Sequence, residues 1–112
     1  MEHAAPHTHD AVLKRVQAWP IEGRLLDAPS GEGTLAERLR ALGWVVHTVD
    51  RIPHDDTHHL AADLNRPLPF EDASFAAAVS VEGIEHLENP SAWLRELARF
   101  CTASARRRAG DG

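Results

Sequence analysis

At 112 residues, the chain is long enough for one domain and able to bury roughly two-thirds of its unfolded surface. Its 43% apolar content excludes a disordered chain. A net charge of −5 excludes a basic nucleic-acid or membrane-surface binder as the main role, so neither partner is expected. The single Cys101 permits no internal disulfide and suits a reducing compartment. No apolar run approaches the ~20 residues of a membrane span, and the first residues lack a secretory pattern, so a cytoplasmic location is expected.

Residues 1–9, MEHAAPHTH, are polar and His-rich and read as a flexible tail in which His3, His7 and His9 are unstructured. Over 10–19, Val12, Leu13, Val16 and Trp19 share one helical face, and Pro20 stops the helix. Residues 24–28 read as a short buried strand. A helix over 34–42 follows, with Leu35, Leu39 and Leu42 on one side and Gly43 closing it. Residues 44–49 are β-rich and end in Asp50.

A loop over 51–57 leads to an extended piece at 58–62 and then Asp63-Leu64-Asn65. His54, His58 and His59 read mainly as part of a solvated loop, with gating of a ligand pocket as the alternative. Pro67 and Pro69 break the chain before Phe70; residues 75–81 form the next buried run, ending in Glu82. Asn89 then caps a helix with Pro90 at its first position and Trp93, Leu94, Leu97 and Phe100 on its inner face. Cys101 reads as a packing residue. Residues 102–112 read as a disordered Arg-rich tail, where Arg106, Arg107 and Arg108 make only a weak phosphate patch.

Near-continuous apolar strands alternating with helices define an α/β fold, a Rossmann-like parallel sheet with flanking helices. The domain spans 10–101. It supplies the first half of a doubly wound sheet, the opening strand of the second half and one further helix. The fourth strand is then an unpaired apolar edge, through which a second copy or a complementary segment is expected to add.

The stretch LLDAPSGEG at 25–33 carries the chemistry. Glycines between a strand and a helix let the backbone approach a ligand, and the helix N-terminus faces it. Gly31-Glu32-Gly33-Thr34-Leu35-Ala36 matches G-x-G-x-x-A, with Asp50 nineteen residues beyond Gly31. That pattern fits an NAD(P)-binding Rossmann module of an oxidoreductase, or simply a tight strand-to-helix turn. Asp27 separates these readings. A carboxylate repels a pyrophosphate but suits a ligand that bears an ammonium and a sulfonium.

Asp27-Ala28-Pro29-Ser30-Gly31-Glu32-Gly33 resembles the first motif, acid-x-Gly-x-Gly-x-Gly, of the class I S-adenosylmethionine-dependent methyltransferases, with Pro29 in place of the first glycine. HTVD ending at Asp50 is similar to the family's second strand, and Ala62-Asp63-Leu64 to its adenine-holding segment. LPFEDASFAAAVSVEGIEHLENP resembles its fourth strand and following loop, with Ala76 where members often carry Asp. The resemblance covers residues 22–101 and is nearest the type-11/type-23 branch. It implies that S-adenosyl-L-methionine is the cofactor. Asp27 would set its methionine end, Ala28, Pro29, Gly31 and Gly33 would form the loop against it, Asp50 would hold the ribose, and Asp63 with Leu64 the adenine.

Glu82-Gly83-Ile84-Glu85-His86 places three ligand-capable side chains after the fourth strand. The E-x-x-E-H pattern resembles the metal-binding segment of the small-RNA 2′-O-methyltransferases and of some ubiquinone-pathway O-methyltransferases. This implies a divalent metal held by Glu82, Glu85 and His86, which would acidify an acceptor hydroxyl. Alternatively His86, with Glu82, acts on the acceptor without metal as general base, or His86 only packs the turn. The resemblance implies in-line methyl transfer to an acceptor, expected to be a small molecule. A non-catalytic remnant or interaction module is the remaining alternative.

Overall fold

The computed structural model describes residues 6–21, 23–81 and 83–110, with backbone alone at 6, 7, 85 and 107–110. His3 and Glu82 lie outside the described residues. Among these, α1 (Pro6–Val16), β1 (Arg24–Asp27), α2 (Thr34–Ala41), β2 (Val45–Asp50), β3 (His59–Ala61), β4 (Ala77–Val79), a 3₁₀ turn (Ile84–His86), α3 (Pro90–Phe100) and α4 (Ala103–Gly110) follow in chain order. The strands form one sheet in the order β3-β2-β1-β4, and each neighbouring pair is parallel. The expected α/β fold, a Rossmann-like parallel sheet with flanking helices, is the fold observed.

Side chains alternate across a strand, and here the alternation separates two cores. Leu25 of β1, Val46 of β2 and Ala77 and Val79 of β4 pack with Leu13 and Val16 of α1 and Leu35, Ala36 and Leu39 of α2. Leu26 and Val49 point the other way and meet Phe75 together with Trp93 and Phe100 of α3. The parallel sheet is thereby covered on both faces, as its apolar strands require. On the α3 side the Trp93 indole N–H donates to Ser80 Oγ at 2.9 Å, which ties the helix to the end of β4.

Several boundaries differ from the sequence expectation. The first helix begins at Pro6 rather than residue 10, because proline suits the first helical position. Phe75 does not extend β4; it forms an isolated parallel bridge with Cys101. The stretch after Cys101, expected as a disordered tail, is α4 over Ala103–Gly110. Thr102 starts it, its Oγ1 accepting the Ala105 N–H at 3.2 Å, ahead of alanines and arginines that favour helix.

At the N-terminal end of the sheet, the half-buried His47 of β2 sits edge-on to His58 at 4.6 Å and to Phe75 at 5.6 Å. Arg24 lies over the Phe75 ring at 4.7 Å. Burial foremost, then the Arg24 charge and that of His58, holds the His47 pKa below its ordinary 6.5. Well above that value the ring is neutral in both the folded and unfolded chain. As pH falls through it, the unfolded chain takes up a proton that the fold resists, so stability is lost toward acid. The urea midpoint is expected to drop between about pH 7.5 and about pH 5.5, and to drop less in His47→Gln. An equal drop in both chains would remove His47 as the cause.

Candidate functional site

The sheet order reverses at β1, whose neighbours β2 and β4 lie on opposite sides of it. Open α/β sheets form a crevice at such a point, beyond the carboxyl ends of the strands. The loop after β1 crosses there, held to both neighbours. The Ala28 N–H donates to Val79 O of β4 at 3.1 Å, and the Ser30 N–H donates to Val49 O of β2 at 3.0 Å. The Ala28–Pro29 peptide is cis.

Gly31 and Gly33 have φ of 58° and 88°, a backbone region that L-residues with a Cβ rarely adopt. A Cβ on Gly33 would meet no atom within 4 Å, so conformation, not space, demands glycine there. Gly33 caps α2, and its carbonyl accepts the Glu37 N–H at 3.0 Å.

Asp50 closes the arrangement. Its Oδ2 accepts the Gly31 N–H at 2.8 Å in a buried contact, and its Oδ1 accepts the Ile52 N–H at 3.2 Å. The side chain is fixed at both oxygens, and each retains a lone pair for a ligand. Asp50 is 7% exposed. Asp63 forms an Asx turn, its Oδ1 accepting the Asn65 N–H at 2.9 Å, with Arg66 Nε 3.9 Å from Oδ2. Asn65 in turn accepts the Glu88 N–H at 2.8 Å, which holds the loop after β3 against the segment that follows the 3₁₀ turn.

A cavity of about 350 Å³ opens between these elements, lined by Pro29, Asp50, Asp63, Leu64, Gly83 and His86, with Arg51, Ala62, Asn65 and Leu87 completing its wall. Five residues singled out from the sequence, Pro29, Asp50, Asp63, Leu64 and His86, therefore share one cavity. Asp27, Ala28, Gly31 and Gly33 are not on that wall. Asp27 and Ala28 are closed off in the core, Asp27 at 1% exposure. Glu82 and the Glu85 side chain lie outside the described residues, so of the Glu82, Glu85 and His86 set only the His86 side chain is placed. Among the described residues, no three His, Cys, Asp or Glu side chains are grouped to hold a metal.

Two features escape the sequence pattern. The Gly31 N–H is committed to Asp50, a bond foreshadowed only by the nineteen-residue spacing. Ser30 Oγ is buried with no hydrogen-bond partner among the described residues; its place between Pro29 and Gly31 was the available signal.

The chain belongs to the methyltransferase domain family, whose model matches residues 1–104. No curated protein matches it. Solved structures share the fold. One is a Haloferax volcanii protein assigned as a methyltransferase, solved in complex with the Trm112 methyltransferase activator (23% identity, TM-score 0.69, covering 88% of this chain and 50% of that one). Another is an Anabaena variabilis protein assigned as a methyltransferase from an antibiotic biosynthesis pathway (17%, 0.70, 88% and 42%). A third, from Methanococcus maripaludis, is assigned as an S-adenosyl-L-methionine-dependent methyltransferase (18%, 0.69, 89% and 52%). The chain spans about half the length of these structures. Among the described residues, no helix is long and apolar enough to cross a membrane.

The Asp50 contact sets a stability expectation. Asp50→Ala leaves the buried Gly31 N–H without its acceptor, a loss of about 1–3 kcal/mol. Urea unfolding should read that as a lower midpoint at unchanged slope. A midpoint equal to wild type would show that the bond contributes nothing net.

Proposed function

We propose that the chain binds S-adenosyl-L-methionine in the cavity at the switch point and serves methyl transfer to a small-molecule acceptor. The observation that carries this reading is the Asp50 carboxylate, fixed by two backbone N–H groups on a cavity that Asp63, Leu64 and His86 also line. The donor set fits. Asp50 has acceptor lone pairs for two ribose hydroxyls, and the Asp63 side chain with the Leu64 amide offers an acceptor and a donor to an adenine edge. A carboxylate at Asp27, the last residue of β1, favours an ammonium or sulfonium and disfavours a pyrophosphate.

When bound, the cofactor supplies an electrophilic methyl group on a sulfonium. The chain's part is to position and to move a proton. Holding both reactants in line is worth roughly 7–11 kcal/mol in such reactions. In this reading His86, which lines the cavity, takes a proton from the acceptor at a ring nitrogen. The divalent-metal part of the reading rests on the EGIEH pattern.

Calorimetric titration with S-adenosylhomocysteine tests the reading, with NADH as the parallel ligand. Binding of the first alone is expected, weakened about tenfold in Asp50→Asn, which keeps the Gly31 bond but turns one acceptor into a donor. Binding of NADH alone, or of neither ligand, would sink it. Magnesium titrated into the chain without a binding isotherm would remove the metal.

The same reading takes the outer edge of β4 as the place where a second copy adds. A groove of about 220 Å³ beside Ala77 and Ala78 is lined by Trp19, Leu97 and the half-exposed Leu94, and an open apolar edge favours strand addition. Sedimentation of the purified chain should find a dimer; a monomer at all concentrations would count against the edge.

A further inference from the structure

We propose that His59 is a positioning residue for the cofactor ribose, acting through the backbone of Ile52 on the Asp50 carboxylate. The inference rests on the cofactor reading of Asp50. His59 opens β3 and lies directly opposite Thr48 in the parallel register with β2. Both of its ring nitrogens are engaged. Nδ1 is 2.7 Å from Thr48 Oγ1, and Nε2 is 2.8 Å from Ile52 O.

The partners assign the tautomer. A carbonyl can only accept, so Nε2 carries the hydrogen, and in the neutral ring Nδ1 accepts a hydrogen bond from the Thr48 hydroxyl. Thr48 is buried, at 5% exposure, and belongs to the strand whose last residue is Asp50. The ring therefore bridges a fixed point in the sheet to the first turn of the loop that follows Asp50. His54 supports its other side, ring to ring at 4.6 Å.

The consequence appears one atom group further on. The residue whose carbonyl His59 holds, Ile52, donates its own N–H to Asp50 Oδ1 at 3.2 Å. That is the longer of the two bonds on Asp50; the other, from Gly31, is 2.8 Å. Ile52 is 45% exposed, so burial of its side chain does little to hold this turn in place. Hydrogen bonds must do it, and His59 supplies one across the strand pair. Without it the Ile52 amide is free to swing, and Oδ1 loses the donor that sets its remaining lone pair toward a diol. Groups that hold a carboxylate's own hydrogen-bond donors in place decide whether it keeps productive geometry.

Four chains and two ligands test the proposal: wild type, His59→Ala, His59→Gln and Thr48→Val, against S-adenosylhomocysteine and its 2′,3′-dideoxy analogue. His59→Ala is expected to weaken S-adenosylhomocysteine about tenfold and to leave the dideoxy analogue unchanged, because the residue acts only on hydroxyl recognition. His59→Gln places an amide N–H where Nε2 stood and should recover most of the affinity. Thr48→Val, which removes only the ring's anchor, should fall between.

Equal weakening of both ligands in His59→Ala, or no weakening of either, overturns the proposal. Amide exchange of the ligand-free chains separates it from the cofactor reading. Exchange at Ile52 should rise in His59→Ala while that at Gly31 holds, and His59→Gln should restore it. Unchanged Ile52 exchange removes the brace whatever the ligands do. If wild type binds neither ligand, the cofactor reading and the ribose role fall together, and exchange alone decides the brace.

Discussion

The bond from the Gly31 N–H to Asp50 Oδ2 is the contact on which the crevice depends. It joins the loop after β1 to the end of β2 beyond the last paired residues, Asp27 and Thr48, and reinforces the bond from the Ser30 N–H to Val49 O. A buried carboxylate needs such donors, and a hydrogen bond to a charged group contributes about 1.5–3 kcal/mol. The positive φ at Gly31 and Gly33 follows from the same demand. The backbone must turn back to present an N–H to Asp50 and still enter α2, and a left-handed residue on either side of Glu32 accomplishes both.

This loop is held because the sheet beneath it is closed on both faces. Leu25 and Leu26 are neighbours in sequence and belong to opposite cores, so β1 is sandwiched between α1 with α2 on one side and α3 on the other. Its centrality makes its last residue, Asp27, inaccessible to solvent. That division, with one acid buried at the end of β1 and the other on the cavity wall, distinguishes Asp27 from Asp50 although both end strands.

Much of this was legible in the sequence. Strand and helix order, the parallel sheet and the glycine loop follow from apolar runs and turn residues, and the motif residues Pro29, Asp50, Asp63, Leu64 and His86 do converge on one cavity. Local pattern failed where pairing decides. Phe75 looks like strand but is taken by Cys101, which leaves β4 shorter than its apolar run. Thr102 gave a capping signal that the arginine-rich composition after it obscured. His59 was read with a solvated loop because its two partners, Thr48 and Ile52, are eleven and seven residues away and meet it only once β3 docks on β2.

The unequal spans of the strand pairings have a kinetic meaning. β1, β2 and β3 associate through consecutive connections, whereas Leu25 must find Ala77 across most of the domain. The entropy of closing a loop grows with its length, so the pairing of β1 with β4 carries the larger closure cost. β3 and β4 are the two edges of the sheet, each with a single partner among the described residues, and local opening under native conditions is expected to begin at such edges. Asp50 ends β2, an inner strand paired on both sides, while His86 follows β4, an edge strand. A ligand gripping both would couple them, and its binding would be read as slower exchange across β4.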